Sequence, residues 1–346
     1  MRDGDNSSSG LHPGSDARPQ SFAPAEMTTC EECLRANPPT RTNCLYCAAI
    51  LPANGKAANT QSPPPTPDNV GSTSLKTGFY IVLTPDQNPT VSVSSLTEAA
   101  TILGLKIAEV QIAVGSGRLV PLARAATILE ATTIADRLAR QRIGVDIIRE
   151  DTLNLELPMT RVRALEFTEE GLAATPQRGE RISMKWDDLI LIVAGRRLVT
   201  RVEIETRRRR NSEKPIGSRE LSSDEPLMDL YSRSGKIGIR IYSSSFDFSC
   251  LGPEKSVTAF ENFAKLLKLL GAHAPKVEVD ETYHSLRAVL GRIWPLDPQT
   301  TKGDSRRSGA GKVDISTVTT IDNEIQFNSY SRLRQHVKLR ELESDR

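Results

Sequence analysis

Four cysteines near the start of the chain, Cys30, Cys33, Cys44 and Cys47, make two C-x2-C pairs with ten residues between them. Each pair on a tight turn aims two sulfurs at one point, and a spacer of that length lets the second turn fold back to close a tetrahedral S4 shell around zinc. Four thiolates fill the coordination sphere and leave no position for water. The expected zinc, one per chain, is therefore structural. Structural zinc contributes about 10–16 kcal/mol in small fingers, more than so short a segment gains from burial. A dithiol redox role fits poorly, because redox C-x2-C pairs occur singly.

The fifth cysteine, Cys250, stands alone in an apolar stretch and reads as a core residue. Five cysteines with four in one box are not a disulfide framework, and thiolate zinc belongs in a reducing compartment. No apolar run is long enough for a membrane span, and the N-terminus lacks the pattern of a secretory signal. These features predict a cytoplasmic protein.

The second chemical feature is the run Arg207, Arg208, Arg209 and Arg210, with Arg196, Arg197 and Arg201 just before it. Four adjacent guanidinium groups suit an anionic partner: a nucleic-acid backbone, an anionic lipid or an acidic protein. The competing reading is a solvated loop neutralised by Glu203, Glu205 and the acidic residues after it. The formal net charge of +2 gives no global push toward either. Gly309-Ala310-Gly311-Lys312 is not a phosphate loop, because Arg306 replaces the first glycine and Val313 follows the lysine. His12, His273, His284 and His336 lie in separate segments without a paired nucleophile. Asp187 and Asp188 are adjacent and, in a strand, would point to opposite faces. The residues predict a non-enzymatic protein.

Composition and periodicity divide the chain around these groups. Residues 1–26 are rich in Ser, Gly, Pro and Asp and predict disorder, with Met27 an alternative start. Residues 27–52 hold the zinc box. Residues 53–77, with Pro63-Pro64-Pro65, predict a linker that is locally stiff and uncouples the box from the rest. Residues 78–150 predict β-α-α-β-α-β. Capping boxes at Ser95–Glu98 and Thr127–Glu130, with glycine stops at Gly104 and Gly144, predict a unit that folds alone. Residues 160–275 predict antiparallel strands, a polar loop over 206–224, and one amphipathic helix opened by Thr258 and lined by Phe260, Phe263, Leu267 and Leu270. Residues 276–299 predict a short helical extension through Tyr283, Leu286, Val289 and Leu290. Residues 300–346 predict a flexible basic tail.

Three resemblances attach to these segments. Residues 30–52, with Asn37-Pro38-Pro39 in the spacer and Leu51-Pro52 after the last cysteine, resemble the short zinc ribbons of bacterial regulatory and membrane-associated proteins. The same spacing is similar to Ran-binding-protein zinc fingers, whose RNA-reading members use an aromatic and arginines. This chain has Arg35 and Arg41 but no Trp before Cys30. Residues 78–150, with Leu103-Gly104-Leu105-Lys106 opening the second helix, resemble the C-terminal domain of the ribosomal stalk protein and the Clp protease adaptor. Those families bind translation factors and N-terminal amino acids. Here the helix Lys106 to Val114 offers Glu109 and Gln111 as its polar groups. Residues 160–272, with Ile182 to Ile190 around Trp186, resemble a pleckstrin-homology-like domain.

The sequence thus predicts a multidomain α+β protein: a zinc ribbon, a small α/β domain, and an antiparallel β-barrel or sandwich capped by a helix, joined by disordered linkers. Its expected role is protein binding, with the partner unspecified. Nucleic-acid binding through Arg35, Arg41 and Arg207 to Arg210 stays open, as does a peripheral membrane contact through the β-domain.

Overall fold

The computed structural model describes residues 27–29, 36–37, 78–84, 91–209, 212–235, 238–309 and 312–344. The chain is mixed α+β and falls into two compact units, Met1–Thr66 and Pro67–Arg346. In the first, β1 (Thr28–Thr29) pairs antiparallel with β2 (Ala36–Asn37), and the Asn37 side chain is buried.

The second unit opens with β3 (Phe79–Leu83), α1 (Val93–Leu103), α2 (Ile107–Gly115), β4 (Val120–Ala125), α3 (Ile128–Arg140) and β5 (Val145–Arg149). The three strands form an antiparallel sheet in the order β4-β3-β5. Thr127 caps α3 by accepting the Glu130 amide, and Glu130 reaches back to the Ala126 amide, a reciprocal cap. Ser92, not Ser95, caps α1, so that helix starts one turn earlier than its Ser95–Glu98 box suggests. Gly104 ends α1 in the left-handed region, at φ 64°. Arg142, at φ 61°, rather than Gly144, takes that conformation after α3.

A larger sheet follows. Its strands are β6 (Thr160–Phe167), β7 (Gly171–Pro176), β8 (Ile182–Lys185), β9 (Leu189–Arg209), β10 (Ser212–Ser232), β11 (Gly238–Tyr242), β12 (Glu278–Asp280), β13 (Gln299–Gly309) and β14 (Lys312–Asp322). The order is β13-β14-β9-β10-β11-β6-β7-β8, with β12 beside β9, and the sheet curls into a half-barrel. Helices α4 (Ala259–His273), α5 (Tyr283–Ile293) and α6 (Glu324–Ser344) pack on it.

The inner parts of β9, β10 and β11 are buried on both faces, which explains their near-continuous apolar runs. Ile192, Met228, Leu230 and Ile241 join one core with Phe263, Leu266 and Leu270 of α4. Leu191, Val193, Leu227 and Tyr231 join the other with Tyr283 of α5, Phe327 and Tyr330 of α6, and the β3–β5 sheet. Gly195 lies where helices press on β9: a Cβ there would sit 2.6 Å from the Phe327 ring.

Four expectations are corrected here. Residues 78–150 do not close their own core, because Trp294 meets the Tyr80 ring edge-on at 5.4 Å and donates to its hydroxyl at 3.0 Å. The described residues of the expected flexible tail over 300–346 are ordered. They form β13, β14 and a helix that is buried over 326–335 apart from Asn328. Of the loop expected over 206–224, residues 206–209 and 212–224 are instead the outer parts of the paired strands β9 and β10. Trp186–Asp188 is a 3-10 turn, so Asp187 and Asp188 are not strand residues. Cys250 also lies in a 3-10 segment, half-buried, its thiol pushed up to about 11 by burial.

Candidate functional site

Cys30, Cys33, Cys44 and Cys47 all lie outside the described residues, as do Arg35, Arg41 and Arg210. Among the described residues, no group of three or more His, Cys, Asp or Glu is placed to hold a metal. None of the described helices is long and apolar enough to cross a membrane.

The arginine run instead marks the outer end of a distinct structure. Beyond Leu198, the last buried residue of β9, the strand continues for eleven residues, about 36 Å at ~3.3 Å per residue. It carries β10 on one side, and β14 then β13 on the other. The result is a four-stranded extension with little apolar cover. The ladder explains why so polar a segment is strand. Each β9 residue from Val199 to Arg208 has a partner on β14, so the backbone groups are satisfied within the sheet.

The two faces of the extension differ. Val202, Ile204 and Thr206 of β9 stand opposite Thr319, Thr317 and Ile315 of β14, giving a Val/Ile/Thr face with Ile204 exposed. The alternate positions carry charge. Arg207 clasps Asp314 through two hydrogen bonds of 2.8 and 2.9 Å, and Ser316 donates to Glu203 at 2.8 Å. Hydrogen bonding to Asp314 raises the Arg207 pKa, so it is cationic at any working pH. Both outer edges are irregular. β10 carries Pro215 with a register shift before Gly217, and β13 shifts between Lys302 and Ser305. Proline, bulges and charge at an edge discourage addition of a further strand.

The register also reveals residues that sequence reasoning missed. Arg306 of β13 lies across from Asp314, the partner of Arg207, and Arg307 lies across from Val313, the partner of Arg208. Arginines a hundred positions apart thus share one end of one sheet. Along the sequence these two arginines stand only beside Gly309-Ala310-Gly311-Lys312, which is not a phosphate loop. Only the pairing of β13, β14 and β9 brings the two runs together.

A second concentration of charge is buried around α6. Asp229 takes two hydrogen bonds of 2.7 Å from Arg240 and one of 2.6 Å from Ser331. Glu324 accepts from Arg161 at 2.9 Å and from Tyr242, and pairs with Arg197 and Arg240. On the far side of α6, Asp280 pairs with Arg334 at 2.6 Å and accepts from Tyr330 and Thr282. Burial alone would raise the Asp280 pKa, but Arg334 and the Thr282 hydrogen bonds hold it below the usual carboxylate range. Burial pushes the Tyr231, Tyr283 and Tyr330 hydroxyls well above theirs. Each of these carboxylates serves an arginine, so the network locks α6 in register against the sheet.

Two hollows flank this network. One of about 680 Å3 lies at the start of α6, lined by Arg161, Asp297, Glu324, Gln326 and Asn328 with Leu157 and Met159. The other, about 480 Å3, runs between α4 and β9–β10, with Ala194, Gly195 and Pro226 opposite Phe260, Phe263 and Leu267. Trp186 stacks on His273 at 4.7 Å at the far end of α4. No protein-family model, no curated protein and no solved structure matches this chain.

Proposed function

We propose that this chain is a non-enzymatic, cytoplasmic interaction protein. A zinc ribbon held by Cys30, Cys33, Cys44 and Cys47 is tethered to a folded body that presents the four-stranded extension to a partner. The observation that carries this reading is the extension itself. It stands beyond the last buried residue of β9, exposes Ile204 on one face and charge on the other, and adds no core to the body. A sheet that buries so little of itself is costly to keep for stability alone, because every ordered residue loses about 1–2 kcal/mol of backbone entropy. Contact with a partner accounts for it. The buried carboxylates support the same reading, since they are committed to arginines that position α6.

The test is quantitative capture from cell extract with three forms of the full chain: wild type, Ile204→Lys, and Cys44→Ser. The reading expects a partner enriched by the wild type and depleted at least tenfold by one of the two variants. Equal recovery with all three forms would remove it.

A further inference from the structure

The extension has two edges and two faces, and they do not offer equal routes to a partner. Strand addition at either edge meets Pro215 or a register shift, so contact comes through a face. On the face that carries Glu203, Arg207 and Asp314, polar groups already engage one another. The opposite face is of another kind. Thr200, Val202, Ile204 and Thr206 of β9 stand in register with Ile321, Thr319, Thr317 and Ile315 of β14. All eight are β-branched and none is charged. Thr300 of β13 shares this face, its hydroxyl 3.1 Å from that of Thr319. Inward of Leu198, the same face packs on α4 through Ile192 and Ala194. The extension carries the pattern outward into solvent, with Ile204 36% exposed. Side chains stiff at χ1 lose little freedom when a second layer covers them.

We infer that this Val/Ile/Thr face packs on the same face of a second copy of the chain, so that two extensions form one sandwich. The inference rests on the extension being a contact surface and names its partner. Size, shape and charge select a copy. Four strands about 4.8 Å apart and about 36 Å long present about 680 Å2 a side, so two such faces bury about 1,400 Å2, inside the range of about 1,200–2,000 Å2 for stable interfaces. Sheets pack face to face with strand directions within about 30°, an angle set by their twist, and a copy matches that twist by identity. Glu220, in register with Val202, lies exposed at the β10 edge of this face, and Lys302, in register with Thr317, lies exposed at the β13 edge. A two-fold axis along the strands carries each β10 edge over the second copy's β13 edge. Each Glu220 then faces a Lys302, and the contact is made twice. A partner of a single sign, such as nucleic acid or an anionic lipid surface, suits one edge and is repelled by the other.

The experiment is sedimentation equilibrium of the purified full chain. Interfaces of this size hold at micromolar Kd or tighter, so a dimer should dominate at about 50 μM. Ile204→Lys sets a charge at the centre of the face in both copies and should weaken association about a hundredfold. Glu220→Lys turns two attractions into two repulsions and should weaken it about tenfold. Glu220→Lys made together with Lys302→Glu should restore it. Within one chain these two residues lie three strands apart, about 14 Å, so the rescue acts between copies. Arg219→Gln on the charged face should leave association unchanged. Thermal melts report whether each variant is folded, and where Ile204→Lys lowers the melting temperature the charge exchange carries the test. A monomer at about 50 μM, well above the expected Kd, would overturn the inference. So would a dimer that survives Ile204→Lys, or a double exchange no better associated than Glu220→Lys alone. A different protein captured by the wild type and lost on Ile204→Lys, with the purified chain monomeric, would leave the interaction reading standing and remove this one.

Discussion

Arg240 and Asp229 show how much one buried pair decides. Their side chains are 4% and 0% exposed, and two hydrogen bonds join them. Removing one partner leaves a charge in the core without compensation, so Arg240→Met is expected to cost about 3–5 kcal/mol. Asp229→Leu made together with Arg240→Met should recover part of that loss, because both charges then leave the core. Urea titration of the two variants checks this, and a double variant no more stable than the single one would refute it. Asp280 sets the acid limit. Its folded pKa lies below the unfolded value of about 3.9. Its contribution is therefore fully present above about pH 4 and disappears as pH falls through the lower folded value. In Asp280→Asn the urea midpoint should lose this part of its acid dependence, and a profile parallel to wild type below pH 4 would contradict it.

At the scale of elements, α5 and α6 complete what residues 78–150 begin. The 78–150 fragment expressed alone should give a poorly dispersed amide spectrum, because Trp294 and the face of α5 that covers its sheet are missing. A well-dispersed spectrum would show that the shared core is dispensable. Where an element has one buried face, its sequence declared it. The β-α-α-β-α-β run, α4 with its Thr258 cap, and the Tyr283–Leu290 face of α5 were all legible. Elements outside that rule were not. The outer strands of the extension meet solvent on both faces, so their pattern reads as loop. Helix α6 is enclosed with Ser329, Ser331, Arg332, Arg334 and Gln335 buried, so it shows no apolar stripe and reads as a tail. The arginine run was visible, but its companions Arg306 and Arg307 were not, because only strand pairing across a hundred residues unites them.

At the scale of the whole molecule, the contacts separate Met1–Thr66 from the body. Purified protein should hold one zinc per chain, and Cys44→Ser should release it, as elemental analysis would report. A chelator should then leave the main thermal transition within about 2 °C, since stabilising a small module does not alter cooperative melting of a separate one. A larger drop would mean that the cysteine segment docks on the body.

Helix α6 follows every other described element along the chain, yet β9 of the half-barrel and α5, which covers the β3–β5 sheet, both pack against it. Synthesis is vectorial, at about 5–20 residues per second, so the apolar faces of β9 and α5 that meet α6 wait uncovered for the seconds before it emerges. During that interval the exposed apolar surface is open to aggregation. A ribosome that stops short of Glu324 yields a chain that cannot hide this surface.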